Sequence, residues 1–202
     1  MRQALLVLAS LLPLIGGLAY IRSIFRGQTV PQRMTRLLML LITGLAFGSL
    51  LADGDTSGVW LALASFGQAI IVWVLSFRYG MGGRDRLDFV CFGLCFAGIG
   101  VWWASGDALL GLAAFILADF VAVLPSLVKT VRLPHTELAL FYALDVLAAS
   151  LIILAGPYGW QALLYLVYLL AINLVFVLVI RRPFLSARMG YNTGSETSGR
   201  TY

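Results

Sequence analysis

Charged side chains are scarce in this chain of 202 residues: they make up 11% of it, against 61% hydrophobic residues. A water-soluble domain of this length needs far more polar surface to cover its core, so the composition excludes one. The 14 basic residues outnumber the 9 acidic ones, but they are spread over short segments between apolar runs and form no continuous patch. We therefore expect a lipid bilayer around the chain and no nucleic-acid partner.

Residues that could carry catalysis or hold a metal are equally few. The two cysteines, Cys91 and Cys95, lie four residues apart within one apolar run, where packing is the simpler role. No histidine–glutamate metal cluster, serine–histidine pair or phosphate-binding loop occurs. The single lysine, Lys129, comes at the end of the fifth apolar run, whereas a retinal protein needs one midway along its last helix. We expect no enzymatic activity, no cofactor and no bound metal.

Long apolar segments are what the sequence has in abundance. A helix that crosses the hydrocarbon core, about 30 Å thick, needs about 20 residues at a rise of 1.5 Å each. Seven segments qualify: 4–24, 35–52, 58–77, 87–104, 108–128, 137–155 and 161–180. We predict an all-α integral membrane protein of seven transmembrane helices, whose first segment is retained as a helix and not cleaved as a secretory signal. The polar tail, residues 184–202, is predicted to be disordered.

The basic residues predict the orientation of these helices. Thirteen of them flank the first, third and fifth connections or follow the last helix, and Arg2 is the exception. The opposite connections carry Asp53, Asp55 and Asp107. Because cytoplasmic connections are enriched in Lys and Arg, the thirteen are predicted to face the cytoplasm. The N-terminus then lies outside and the C-terminus inside, in a multi-pass protein of the cell membrane, such as a bacterial inner membrane.

An internal repeat is visible when residues 23–41 are laid on residues 126–144. Ser23-Ile24-Phe25-Arg26 then meets Ser126-Leu127-Val128-Lys129, and Pro31 meets Pro134. The predicted domains are a first three-helix unit over 1–79, a linker helix over 80–106, a second three-helix unit over 107–183, and the tail. A single linker helix restores the orientation of the first unit, so the repeat is parallel, and a binding site is expected between the two units near the midplane.

The stretch Leu124-Pro125-Ser126-Leu127-Val128-Lys129, followed by His135-Thr136-Glu137, resembles the PQ-loop signature of the SWEET and PQ-loop transporter superfamily. The plan of three, one and three helices and the outside N-terminus are also similar to those of SWEETs. The resemblance covers residues 4–183. It implies a parallel repeat and the transport of a small solute.

Two acids lie well within predicted spans, Asp119 in the fifth and Asp145 in the sixth. An ionised carboxylate in hydrocarbon costs at least about 2.5 kcal/mol, and no cation is expected at their depth. A water-filled cavity, hydrogen bonds or a carboxyl held neutral would each place them inward. Substrate binding, proton coupling and a neutral aspartic acid bonded to a neighbouring helix are all open. The stretch around Asp145 resembles the one that carries an essential acid in proton-coupled, lysosomal cystine-type PQ-loop carriers.

Two amides share that depth, Gln68 in the third span and Asn173 in the seventh. The resemblance to SWEETs implies that they hold the substrate, while an interhelical hydrogen bond is the alternative. Trp73 lies one turn from Gln68 and either stacks on a sugar ring or packs in the core. Pro13 and Pro125 fall in the first helices of the two units, where a lost backbone hydrogen bond permits a kink, and resemble gating hinges.

Together these residues predict a small-solute transporter that works by alternating access. The expected partners are the bilayer and a sugar, an amino acid or another small polar metabolite, with proton linkage through Asp145 and Asp119 as an alternative to facilitated diffusion. Copies of the chain could associate with one another. The competing hypothesis is a receptor or assembly subunit that reuses the same fold without moving a solute.

Overall fold

The computed structural model describes residues 2–52, 56–83, 85–104 and 108–190. Within these ranges the chain forms seven α-helices, which confirms the helix count predicted from the apolar segments. They are α1 (Arg2–Phe25), α2 (Arg33–Ala52), α3 (Thr56–Tyr79), α4 (Arg86–Ala104), α5 (Ala108–Arg132), α6 (Ala139–Ala155) and α7 (Trp160–Gly190). A short 3₁₀ helix, Pro134–Thr136, precedes α6.

Among the described residues, three helices contain stretches that are long and apolar enough to cross a membrane: Arg2–Phe25, Leu112–Arg132 and Trp160–Arg182. Shorter apolar stretches, Leu63–Tyr79 and Ala139–Ala155, occur in α3 and α6. Large apolar side chains point away from the bundle, as Leu18 does with 68% of its surface exposed. Such a surface would be costly in water but not in lipid. These features are consistent with a membrane protein.

The last helix is longer than predicted. The sequence placed its end at residue 180 and a disordered tail from residue 184, but α7 continues to Gly190. The apolar stretch stops near Arg182, yet residues 185–189 include strong helix formers such as Leu185, Ala187 and Met189, and the helix ends only at a glycine. Residues 191–202 of the predicted tail lie outside the described residues.

A Schellman motif ends α1 and sets the course of the chain after it. The Gly27 N–H donates to the Ile24 carbonyl at 3.0 Å, and the Gln28 N–H donates to the Ser23 carbonyl at 3.0 Å. Gly27 has φ 69°, a backbone conformation that glycine adopts without steric cost. The turn directs residues 28–32 back across the end of the bundle.

Three connections meet at that end of the bundle, which we call the basic end. The Val30 N–H donates to the Thr136 carbonyl at 3.0 Å, and the Met81 N–H donates to the Pro31 carbonyl at 3.0 Å. The connections α1–α2, α3–α4 and α5–α6 therefore lie together, as antiparallel neighbours require. Several charges used to predict orientation lie outside the described residues: Asp53, Asp55, Arg84, Asp107 and Arg200.

The contacts between helices follow the same order in the two predicted units. In the first, α3 contacts both α1 and α2, and in the second, α7 contacts both α5 and α6. Among the described residues the backbones of α1 and α2 do not approach each other closely, and neither do those of α5 and α6. Between the units, α1 packs against α6 and α2 packs against α5, while α4 packs on α5 and touches α2.

The main apolar core lies between α2, α4 and α5. Leu38, Cys91, Cys95 and Ala122 are almost fully buried within it. Gly98 allows the close packing of α4 on α5, because a Cβ at this position would lie 2.9 Å from the Cβ of Ala118. Small residues at such contacts let helices approach closely in a membrane. The space between α1, α3, α6 and α7 is less completely filled and contains a cavity.

Candidate functional site

Three adjoining cavities meet at Asp145. Their volumes are about 300, 170 and 180 Å³. The first extends toward the end of the bundle opposite the basic end, between α1, α3, α6 and α7. The second adds α2 to α1, α3 and α6, and the third lies between α2, α5, α6 and α7. Every helix of both predicted units thus contributes to the space around Asp145.

Asp145 shares two of these cavities with Arg36 of α2. The guanidinium acts electrostatically on the carboxylate, although the two groups form no ion pair and the described residues give Asp145 no hydrogen bond. The sequence-based expectation that no cation reaches this depth is therefore wrong. Arg36 lies one turn inside α2, and its long side chain extends inward from the basic end.

Asp119 lies in the same cavity as Asp145 but has a different environment. Its carboxylate accepts a hydrogen bond of 2.6 Å from the Tyr168 hydroxyl, and only 8% of the residue is exposed. The aspartate on α5 is thereby joined to α7 within the second unit. Its role in proton coupling stays a prediction.

The two predicted amides also face this space. Asn173 lines two of the cavities, and its Nδ2 donates to the Leu169 carbonyl of its own helix at 2.9 Å. Gln68 lines the cavity that also contains Asp145 and Arg36. Its amide lies so close to Gly17 that a Cβ there would be 1.9 Å from the Gln68 Cδ. Glycine at position 17 therefore allows the amide to cross over α1.

Trp73 is not brought to the same place. It lines none of the three cavities around Asp145, and its ring packs against that of Phe77, with centroids 5.0 Å apart. The structure thus favours the packing alternative for Trp73. Trp73 is only 5 residues along α3 from Gln68, and at 3.6 residues per turn this separation rotates the two side chains to different faces.

The two predicted hinges lie within helices that continue on both sides of each proline. Pro13 lines two of the cavities. At Pro125 the helix makes an unusual contact: the next backbone N–H, that of Ser126, donates to the Thr35 Oγ of α2 at 3.1 Å. A proline disturbs the hydrogen bonds of the turn around it, and here a side chain of the other unit contacts that turn. Movement at either proline stays a prediction.

A buried cluster of polar side chains closes the cavities at the basic end. We call it the Glu137 cluster, and its members are Tyr20, Arg36, Lys129, Glu137 and Tyr142. The Glu137 carboxylate accepts hydrogen bonds from the hydroxyls of Tyr20 at 3.0 Å and Tyr142 at 3.2 Å, and it pairs with the ammonium of Lys129. Arg36 Nη2 donates to the Tyr20 hydroxyl at 2.5 Å. The cluster joins α1, α2, α5 and α6.

A second buried pair, Gln32 with Asp88, fixes the starts of α2 and α4. The Gln32 Oε1 accepts from the backbone N–H groups of Met34 at 2.7 Å and Thr35 at 3.2 Å, as an N-cap does. Its Nε2 donates to Asp88 Oδ1 at 2.8 Å. The other oxygen of Asp88 accepts from the N–H of Asp85 at 3.2 Å, in the manner of a capping box. This pair joins two connections of the basic end.

The sequence contains a signal for the acids of both groups. Asp88 and Glu137 are acids at the basic end of the bundle, and each lies next to the start of a helix. Acids at such positions commonly cap helices or pair with nearby cations. Basic residues near helix ends commonly face the membrane interface, so the sequence alone does not show that Arg36 and Lys129 point inward.

Comparison of the chain with protein-family models, with curated proteins and with solved structures finds no match. The chemistry of the site is therefore read from its own geometry. An acid and a guanidinium face the same space, two amides line its walls, and a hydrogen-bonded cluster lies at one end of it. Such an arrangement can bind a small polar solute.

Proposed function

We propose that this chain is a small-solute membrane transporter that works by alternating access, with seven transmembrane helices and a midplane site between two three-helix units. The observation that carries the proposal is that Asp145 faces cavities lined by all six helices of the two units. Transporters built from repeats bind their substrates at this kind of interface. The solute is a sugar, an amino acid or another small polar metabolite.

The contacts between helices support a parallel repeat. If the first unit is exchanged for the second, the contact of α1 with α6 becomes the contact of α5 with α2, and both are present. The third helix of each unit lies between the other two in both cases. A two-fold axis along the membrane normal would produce this pattern, and the sequence repeat around Ser23 and Ser126 follows it.

The Glu137 cluster supports the assignment of the basic end as a closed gate. Its hydrogen bonds link α1 to the start of α6 through Tyr20 and Glu137, and Arg36 extends the linkage to α2. Movement of one unit relative to the other would separate these groups. An alternative state, open at the basic end, would have to replace their hydrogen bonds with water.

Thiol labelling tests alternating access without knowledge of the solute. In a background with both native cysteines replaced by alanine, Ser10→Cys reports on the cavity away from the basic end, and Ser126→Cys reports on the basic end. A membrane-impermeant maleimide is added to vesicles of each orientation. We expect Ser10→Cys to react from outside, and the change Glu137→Gln to lower that reaction and expose Ser126→Cys to the cytoplasmic side.

The labelling result separates a transporter from a receptor or assembly subunit. In a transporter, a change that makes one cysteine more reactive makes the other less reactive, because the two conformations of the protein share one population. If folded Glu137→Gln protein leaves Ser126→Cys unreactive from the cytoplasmic side, the alternating-access proposal is refuted. Circular dichroism and size-exclusion chromatography of each variant establish that it is folded.

A further inference from the structure

The guanidinium of Arg36 has a donor that no group in the described part of the chain accepts. One side of it is held: Nη2 donates to the Tyr20 hydroxyl at 2.5 Å, and the central carbon lies 4.5 Å from the centroid of the Tyr20 ring. The Nε is buried, and no partner for it lies among the described residues. A buried donor on a charged group costs free energy when it is left unpaired, so such groups are rare unless something else fills the role.

Asp145 presents the complementary charge in the same two cavities. In the described part of the chain its carboxylate receives no hydrogen bond, and it takes no part in the ion pair of Lys129 with Glu137. Arg36 and Asp145 thus face a shared space without neutralising each other directly. The nearby carboxylate of Asp119 already accepts a hydrogen bond from the Tyr168 hydroxyl at 2.6 Å.

We propose that Arg36 and Asp145 bind a small zwitterion, with the carboxylate of the solute on the Arg36 guanidinium and its ammonium group on Asp145. This inference rests on the proposed function and narrows its substrate class. A guanidinium offers a planar set of donors that matches a carboxylate. Each charge of the site then has a counter-charge, and neither remains unpaired in low dielectric.

Other solute classes fit the same charges less well. A simple anion would pair with Arg36 but be repelled by Asp145, and a simple cation would pair with Asp145 but be repelled by Arg36. A sugar would offer hydroxyl groups to both and compensate neither charge. Each of the two shared cavities, at about 170 and 180 Å³, holds roughly six water-sized groups at about 30 Å³ each. That is the size of a small amino acid.

The remaining polar groups supply contacts along the solute. Gln68 lines one of the two cavities shared by the charged pair, and Asn173 lines the other. Neither carries a charge, so they can orient the solute without selecting its sign. The side of the site toward Ala148 and Ala149 is formed by small residues and leaves space for a short side chain.

Thermal unfolding of the purified full chain tests the charge pair with four probes of matched chemistry: L-alanine, propionate, ethylamine and D-glucose. L-Alanine has both charges, propionate and ethylamine have one each, and D-glucose has none. A solute that binds the folded state raises the unfolding temperature with concentration. We expect L-alanine to stabilise the wild-type protein at millimolar concentration and the other three to have little effect.

Two substitutions reverse the preference if the assignment is right. Asp145→Asn removes the acid, so L-alanine should bind about 10- to 100-fold more weakly, as expected for the loss of a charge-assisted hydrogen bond, and propionate should gain affinity. Arg36→Gln should weaken L-alanine by a similar factor and favour ethylamine. If Arg36→Gln fails to fold because its bond to Tyr20 is lost, the response of Asp145→Asn decides alone.

Any other ranking of the probes overturns the zwitterion assignment. Stabilisation by D-glucose with no effect of L-alanine would indicate a sugar site, and an equal effect of propionate or ethylamine would indicate a site for one charge. No stabilisation by any probe would also refute it. These outcomes leave the labelling of Ser10→Cys and Ser126→Cys unaffected, so failure of the substrate class is distinguishable from failure of alternating access.

Discussion

The buried ion pair of the Glu137 cluster gives a quantitative prediction about stability. Glu137 is 6% exposed, and its carboxylate accepts bonds from Tyr20 at 3.0 Å and Tyr142 at 3.2 Å while it pairs with Lys129. The change Glu137→Gln removes the counter-charge of the Lys129 ammonium, whose other partner is the Val30 carbonyl at 2.5 Å. Removal of one member of a buried pair costs about 3–5 kcal/mol.

A double-mutant cycle separates the pair from the rest of the cluster. We expect Lys129→Met to cost about as much as Glu137→Gln, because each single change leaves the other charge buried and uncompensated. The double variant has neither charge, so its cost should fall short of the sum by about 2 kcal/mol or more. The free energy of unfolding is measured by titration with a denaturing detergent in mixed micelles.

A matched control lies on the same helix. Arg132→Met also removes a basic residue near the end of α5, but Arg132 is exposed, so its effect should stay within about 0.5 kcal/mol. If Glu137→Gln is no more destabilising than Arg132→Met, the cluster does not hold the basic end together. Simple additivity of Glu137→Gln and Lys129→Met would likewise refute the coupling between them.

Three further predictions concern the site and its supports. Gly17→Ala should displace the Gln68 amide and weaken solute binding in the thermal assay. Gly16→Ala is the control: its new Cβ would make only contacts of 3.5 Å, so this variant should bind the solute as the wild type does. Gln32→Ala should lower the free energy of unfolding by about 1 kcal/mol or more through loss of the N-cap of α2, and an unchanged value would contradict this role. In proteoliposomes with an acidic exterior, Asp119→Asn should lose the solute accumulation that the pH gradient drives. It should keep solute exchange, because the amide still offers its tyrosine partner an acceptor. Wild-type uptake that does not respond to the pH gradient would refute proton linkage.

The helices themselves could be predicted because each is a long apolar run with polar residues at its ends. The predicted start of the second segment, residue 35, differs by two from the observed start of α2 at Arg33, and the sixth begins at Ala139 instead of residue 137. The last helix was the exception. In α7 the apolar stretch and the hydrogen-bonded helix end at different residues, and hydropathy shows only where the apolar stretch ends.

The site could be predicted in part, for the physical reason that polar groups in apolar spans are costly unless they face one another or water. This reasoning selected Asp145, Gln68 and Asn173, which line adjoining cavities. It could not select Arg36, since a cation near a helix start is as well suited to an interface as to an inward position. Only the fold shows that Tyr20 of another helix holds Arg36 against the cavity.

The pairing of α1 with α6 has a consequence for how the protein is made. The helix that enters the membrane first has its most extensive partner in one that is synthesised more than 100 residues later. Among the described residues its backbone does not approach that of the helix that follows it, and the two are linked through the side chains of Tyr20 and Arg36. Until α6 arrives, the face of α1 around Ala9 and Tyr20, buried in the finished bundle, must remain against lipid or an insertion chaperone. Packing of α1 against the second unit is therefore a late event, and a chain released before Thr136 and Glu137 are made would lack the groups that join its first unit to the start of α6 at the basic end.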